Sequence, residues 1–366
     1  MRYMLFYFTC LLFLFACQKN NPETANATYK DSVFTENFRR TSGLVAGDGG
    51  YSIPLSDNRS LWGFGDSHIN YYDAATQTVP CLFQVRNAIQ VMGISDPTAQ
   101  QTLTGSGSIP SYFSVGSNNN YWFWPGAGYQ NGDTVYVLLS RIRSTGTGGS
   151  FGFEGVDSNY VAKIKFPQLT ISGYSLLPSK NGIVFNVSVV KDGDYNYVYG
   201  IKQNGFGNGL YVARFPSANI YAAWEFYNGS GWSANAGTAA AVANEFTSSF
   251  NICKIKSKYV LITTEFSVGC DQGKNIYSAV SDNPFGPFTN KKSIWVVDDL
   301  WQGHYPFFYL ANAHPEYDNG KNELLITYSI NGYDNCVNTC INNRKNPDHY
   351  RLKAIRVPYK VMDAGL

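Results

Sequence analysis

Five short apolar segments recur at near-even spacing, each just behind a polar turn, in a chain rich in aromatic residues and glycine. These observations predict an all-β chain: a five-bladed β-propeller, with four-stranded antiparallel blades around a central channel. The segments are Leu61-Trp-Gly-Phe-Gly, Val135-Tyr-Val-Leu-Leu, Tyr197-Val-Tyr-Gly-Ile, Tyr259-Val-Leu-Ile-Thr and Leu324-Leu-Ile-Thr-Tyr. Their first residues lie 74, 62, 62 and 65 positions apart. Fixed-period self-similarity marks an array whose units cannot bury their apolar faces alone. A period above the roughly 40 to 50 residues of common propeller repeats predicts blades with extra loops. Aromatic residues are 16% of the 366-residue chain and charged residues only 15%, a balance that suits pleated, half-buried surfaces. No stretch sustains a 3.6-residue apolar period, which argues against long helices.

Arg2 precedes an apolar stretch from Tyr3 to Ala16. That stretch is too short for a membrane span, which takes about 20 residues, but it suits a secretory leader. Leu14-Phe15-Ala16-Cys17 resembles the bacterial lipoprotein box. Residues 1–17 are therefore expected to be a leader, with Cys17 lipidated and anchoring the protein to a membrane. Gln18, rather than Asp, follows, so the expected location is the cell envelope, at the outer membrane. The polar residues 18–30 read as a flexible tether, and residues 31–366 as the propeller.

Each recurrent segment has a partner strand before its turn: Tyr51 to Leu55, Tyr121 to Trp124, Ile183 to Val190, Phe250 to Ile255, and a short one near Ala313 to Tyr317. Apolar runs joined by Asp-Gly or Asn-Gly turns are hairpins. The first strand of each hairpin is expected to line the channel. Leu210 to Phe215 and Trp224 to Tyr227 add outer strands to the third unit, Asn275 to Val280 to the fourth, and Leu352 to Val357 to the fifth. Ser32 to Phe38 is expected to add the closing strand of the last blade, which removes an open edge.

Beyond Cys10 and Cys17, five cysteines remain. Export would place them in an oxidising compartment. Cys336 with Cys340, and Cys253 with Cys270, are the pairs that proximity suggests, leaving Cys81 odd. Structural zinc needs four ligands, and no such set is spaced along this chain. No cofactor is expected. An oxygen-rich channel suits calcium, but no ligand spacing argues for one. The net charge of +2, without a basic run outside the ends, argues against nucleic acid, whose phosphates require clustered Lys and Arg.

In a hairpin, the start of the first strand and the end of the second lie at one end. Across five blades those positions form one mouth. The first unit offers Asp48, Asp66 and His68; the second Trp122, Trp124, Arg141 and Arg143; the third Lys202. The fourth offers Glu245 and Glu265, and the fifth Asn312, His314 and Asn331. Convergent carboxylates and aromatics suit carbohydrate chemistry. Glycosidic cleavage generally needs one carboxyl to protonate the leaving oxygen and another to attack the anomeric carbon or activate water. Asp48 and Asp66 are the expected pair, and Glu265, or Glu245, the expected proton donor. His68, Arg141, Glu245 and His314 are the expected substrate contacts. His349 and Glu316 read as surface residues.

Gly47-Asp-Gly-Gly-Tyr-Ser-Ile-Pro-Leu55 followed by Leu61-Trp-Gly-Phe-Gly-Asp-Ser67 resembles the opening motif of a bacterial family catalogued as a domain of unknown function. That family has five-bladed propellers and includes endo-D-arabinanases. Trp124-Pro-Gly, Ser281-Asp-Asn-Pro-Phe-Gly-Pro287 and Ala313-His-Pro-Glu316 extend the resemblance over most of residues 40–358. It implies a glycoside hydrolase-like propeller in which Asp48 and Asp66 match the acidic pair. The chain departs from the pattern at Gly-Ala-Gly, residues 126–128, where relatives often carry an acid. The expectation is an exported lipoprotein that cleaves an arabinan-like or related polysaccharide. The alternative is a lipoprotein that binds glycan without cleaving it.

Overall fold

A computed structural model describes residues 27–106, 110–116, 120–147, 152–178, 180–332 and 337–366. It shows five antiparallel sheets in a ring. Blade one comprises Leu44–Pro54, Arg59–Ile69, Ala88–Gly93 and Gln100–Leu103. Blade two comprises Tyr121–Asn131, Thr134–Ser144, Phe153–Lys165 and Thr170–Leu177. Blade three runs from Val184–Asp192 through Tyr195–Asn204 and Gly207–Pro216 to Glu225–Tyr227, with the short strands Trp232–Ser233 and Ala243–Glu245 added at its margin. Blade four comprises Phe250–Ile255, Lys258–Thr264, Asn275–Ser281 and Thr289–Val296. Blade five comprises Phe307–Ala313, Glu323–Asn331 and Lys353–Pro358, and takes its fourth strand from Tyr29–Lys30.

All five recurrent segments are the second strands of their blades, and the strand before each is innermost. The five inner strands pack side by side around the channel, blade five returning to blade one. The core follows the same ring. Apolar clusters fill each interface between neighbouring blades: Leu61 and Val91 against Phe123 and Val137, for example, or Val260 and Ile276 against Leu324 and Ile355. A blade's sheet is apolar on both faces, so closure of the circle is what keeps every face from water.

Closure differs in detail from expectation. Ser32–Glu36 is a helix rather than the last strand. Asp31 caps it, its side chain accepting from the Phe34 N–H at 2.8 Å, which satisfies one of the free donors at a helix start. Phe34 and Phe38, four residues apart, then share a face and pack against Trp62. The closing strand is Tyr29–Lys30, paired with Arg356 and Ile355, so the fold begins inside the segment read as tether. The inner strand of blade five also lies earlier than expected, at Phe307–Ala313.

The cysteine pairing is corrected as well. Cys81 bonds Cys340, 259 residues away, where the short ribbon of Val79–Pro80 with Arg344–Lys345 brings blade one's loop to blade five's. Cys270 is disulfide-bonded, and Cys253 is a free thiol buried between blades four and five. Cys336, like Cys10 and Cys17, lies outside the described residues.

Candidate active site

The opening hairpin is bent where its acids stand. Gly47 pairs with Ser67 and Gly49 with Phe64, so the ladder slips around Asp48. Such a bulge re-aims a side chain. Gly49 and Gly50 follow at φ +99° and +73°, in the region that only glycine occupies without strain. Opposite them, Gly65 admits the carboxylate: a Cβ there would lie 2.5 Å from Asp48 Oδ1. The two glycine-flanked aspartates of the sequence thus form one structure, in which the backbone of one strand makes room for the acid of the other.

Asp48 is half-buried at the inner wall. Tyr309, from the inner strand of blade five, donates to its Oδ2 at 2.7 Å, and Tyr309 in turn accepts from Asn331 at 3.2 Å. Burial raises the Asp48 pKa, while hydroxyl bonds from Tyr309 and Tyr350 and the charge of Lys345 oppose the rise. Lys345 is itself buried, which lowers its pKa to about 8. Its ammonium lies 4.8 Å from the centre of the Tyr350 ring.

Asp66 stands next to Asp48 with a side chain only 15% exposed. Trp124 donates to its Oδ1 at 3.3 Å, and the Arg86 guanidinium lies 3.4 Å from its Oδ2. Arg86 is held over the Trp122 ring, 4.0 Å from its centre. Burial first, and the neighbouring Asp48 charge second, raise the Asp66 pKa to about 7; Arg86 and Trp124 pull the other way. Neighbouring carboxyls cannot both ionise cheaply, so Asp66 holds its proton well above the usual carboxylate range.

The other expected residues lie elsewhere. Glu265 is tied to its own hairpin: its Oε2 accepts from the backbone N–H of Lys274 and Asn275 and from the Asn275 amide. Those bonds lower its pKa, the reverse of what a proton donor needs. Glu245 is ion-paired with Lys291 and lines a recess with Glu265 between blades three and four. Neither glutamate has a hydrogen bond or ion pair to Asp48 or Asp66. His68 is fully buried, with no partner for either ring nitrogen, and burial lowers its pKa to about 3. It lies edge-on to Tyr350, with its ring closed off from solvent. His314 is also buried, stacked on Trp62 at 4.2 Å. Its ring nitrogens meet Ser52 and Thr327 hydroxyls at 2.6 and 2.8 Å, so it ties blade five to blade one rather than facing sugar. Arg141 lies over the Tyr121 ring, without an ion pair to either aspartate.

Glu316, read as a surface residue, instead faces a cavity of about 270 Å³ in the channel. Burial raises its pKa to about 7. Arg86, Tyr309, Lys345 and Tyr350 escaped the sequence reading. Arg86 belongs to a connection between strands and Lys345 to the short ribbon in blade five's loop, and no local pattern indicates which blade such a residue will meet. Tyr309 belongs to the inner strand of blade five, whose sequence pattern points to residues further along the chain. Among the described residues, no group of three or more His, Cys, Asp or Glu is arranged to hold a metal.

One solved structure shares this architecture. A provisionally assigned hydrolase from Bacteroides ovatus superposes with a TM-score of 0.72 at 18% identity, over 90% of this chain and 89% of that one. A GH43_1 enzyme from Xanthomonas citri superposes with a TM-score of 0.47 at 13% identity, over 89% and 92%. At 18% identity the likeness to the Bacteroides ovatus protein is one of fold alone. No curated protein sequence matches the chain. The profile of one family matches residues 31–359, and the chain therefore belongs to the family described as Domain of unknown function (DUF5005).

Proposed function

We propose that this chain is a glycoside hydrolase acting on an arabinan-like or related polysaccharide, with Asp48 and Asp66 as its two carboxyls. The observation that carries the reading is the unequal environment of the pair. Asp66, with a pKa near 7, holds a proton to give to the leaving oxygen. Asp48, whose pKa burial also raises but whose tyrosine hydroxyls and Lys345 charge oppose that rise, is the carboxyl we assign to attack the anomeric carbon or to take a proton from water. Two acids whose surroundings push them apart are the usual division of labour in such sites. We assign the proton-donor role to Asp66 rather than Glu265, because donors from Lys274 and Asn275 hold the Glu265 pKa below the usual carboxylate range. Trp124 supplies a flat face beside the pair, and Arg86 a donor for sugar hydroxyls.

Export and lipid anchoring at Cys17 form part of the proposal. The leader pattern of residues 1–17 and the Cys81–Cys340 disulfide, a bond characteristic of oxidising compartments, support it. Loss of membrane association in a Cys17→Ala protein is the expected result; retention would remove the anchor from the account.

The enzymatic reading is tested by incubating residues 18–366 with a polysaccharide panel that includes arabinans and following released reducing ends. Release by the wild type and its loss in Asp48→Asn support the reading. Binding of glycan without any release of ends would replace it with the non-catalytic alternative.

A further inference from the structure

Blades three and four carry a second recess, of about 560 Å³, lined by Phe206, Glu245, Phe246, Glu265, Phe266 and Lys291. Phe206 is fully exposed, Phe246 70% and Phe266 46%. Exposed apolar surface gathered in one place marks a binding site. Topology puts this recess on the same face of the ring as the aspartates. Phe206 follows the second strand of blade three, Phe246 precedes the inner strand of blade four, and Phe266 follows its second strand. Asp48 and Asp66 occupy corresponding ends of blade one.

A run of contacts joins the two places. The hydroxyls of Thr264 and Thr247, on the recess wall, meet at 3.0 Å. Thr247 Oγ1 accepts from the Ser249 N–H at 3.0 Å, and Ser249 Oγ accepts from the Leu310 N–H at 2.9 Å. Leu310 adjoins Tyr309, which donates to Asp48. The recess and the proposed site therefore border one continuous wall, built from the inner strands of blades four and five.

We propose that this recess binds an outer stretch of the same polysaccharide chain whose scissile bond lies at Asp48 and Asp66. The inference rests on the glycoside hydrolase reading and deepens it. Phenylalanine rings offer flat surfaces to the apolar faces of sugars. Glu265 uses Oε2 for its hairpin and keeps Oε1 for a sugar hydroxyl. The Glu245–Lys291 pair supplies an acceptor and a donor side by side. Rings interleaved with hydrogen-bonding groups in a recess of oligosaccharide size suit a polyhydroxylated chain.

The test uses the Asp66→Asn protein, with and without Phe206→Ala, Phe246→Ala and Phe266→Ala, in affinity electrophoresis through gels containing linear arabinan, arabinogalactan or arabinoxylan. Wild-type hydrolysis of the same polymers is measured in parallel. Retardation of Asp66→Asn by at least one polymer, and a weakening of about tenfold or more in the quadruple variant, are expected. Phe246→Ala alone, which removes one exposed ring, serves if near-ultraviolet dichroism shows the larger variant unfolded, and should weaken binding in the same direction. Equal retardation with and without the rings overturns the proposal. Hydrolysis by the wild type without ring-dependent retardation sinks the recess and spares the enzyme. Ring-dependent retardation without hydrolysis does the opposite. A protein as occupant predicts no retardation by any polymer, which also overturns the proposal.

Discussion

Replacing Asp66 by Asn should make this protein more stable at alkaline pH, and the size of the gain follows from its surroundings. In the unfolded chain an aspartate loses its proton near 3.8, whereas in the folded protein Asp66 keeps it to about 7. The folded state thus binds a proton that the unfolded state has released, and stability falls with rising pH throughout that window. The contribution is fully present below the unfolded value and is lost as pH rises through the folded one. Each unit of difference is worth about 1.4 kcal/mol, so ionised Asp66 costs the wild type about 4 kcal/mol once the pH passes 7. The side chain is only 15% exposed, so solvent screening removes little of this. Asparagine never ionises and bears no such cost. Urea unfolding of both proteins at pH 4.5 and pH 8 measures the difference. The advantage of Asp66→Asn should be greater at pH 8 by about 3 kcal/mol. An equal gap at the two pH values, or a narrower one at pH 8, would refute the reasoning. A residue that weakens the fold at working pH is what a strained functional site leaves behind.

Arg86→Leu removes the cation 3.4 Å from Asp66, whose charge lowers the Asp66 pKa. The alkaline limb of kcat/KM should move up by about one pH unit; a downward move contradicts the assignment. Gly65→Ala puts a Cβ 2.5 Å from Asp48 Oδ1 and must displace that carboxylate. A drop in kcat of about 100-fold is expected, and wild-type turnover would show that the close approach is unnecessary. In Glu265→Gln the alkaline limb should stay near its wild-type position, because Glu265 is not the proton donor; its disappearance would restore that role. The Cys81→Ser, Cys340→Ser protein loses a cross-link spanning 259 residues. Chain entropy sets the loss of unfolding free energy at up to about 5 kcal/mol, and an unchanged urea midpoint would rule out a stabilising role.

The ring was legible because each blade repeats the same local grammar. An apolar run, a polar turn and a second apolar run specify a hairpin without reference to the rest of the chain, and all five second strands fall on their segments. The exceptions have local causes. Leu310 adopts φ +51° and the ladder slips between Tyr309 and Asn312, so the inner strand of blade five does not alternate cleanly. Ser32–Glu36 is helical because Asp31 caps it and Phe34 and Phe38 share an apolar face, a signal present in the sequence but outweighed by the need for a closing strand.

The closeness of Asp48 and Asp66 was legible for a related reason. Asp48 and Asp66 lie on one hairpin, so their proximity is set by a short loop. The hairpin bonds of Glu265 were not legible, because position at a blade's mouth says nothing about the backbone donors awaiting the side chain. The His68 and His314 sites depended on depth, which a strand pattern fixes only to one face or the other. Cys81 meets Cys340, and Lys345 approaches Asp48, only once the circle is closed. No separation along the chain encodes those meetings.

The most direct measurement of the central claim is the pH profile of kcat/KM on whichever polysaccharide the wild type cleaves, set beside the profile of Asp66→Asn. A rate that falls as pH rises through about 7, and a loss of about 100-fold or more with that limb abolished in Asp66→Asn, are the predicted results. Cleavage that accelerates through pH 7, or that proceeds in Asp66→Asn at the wild-type rate, would contradict the account.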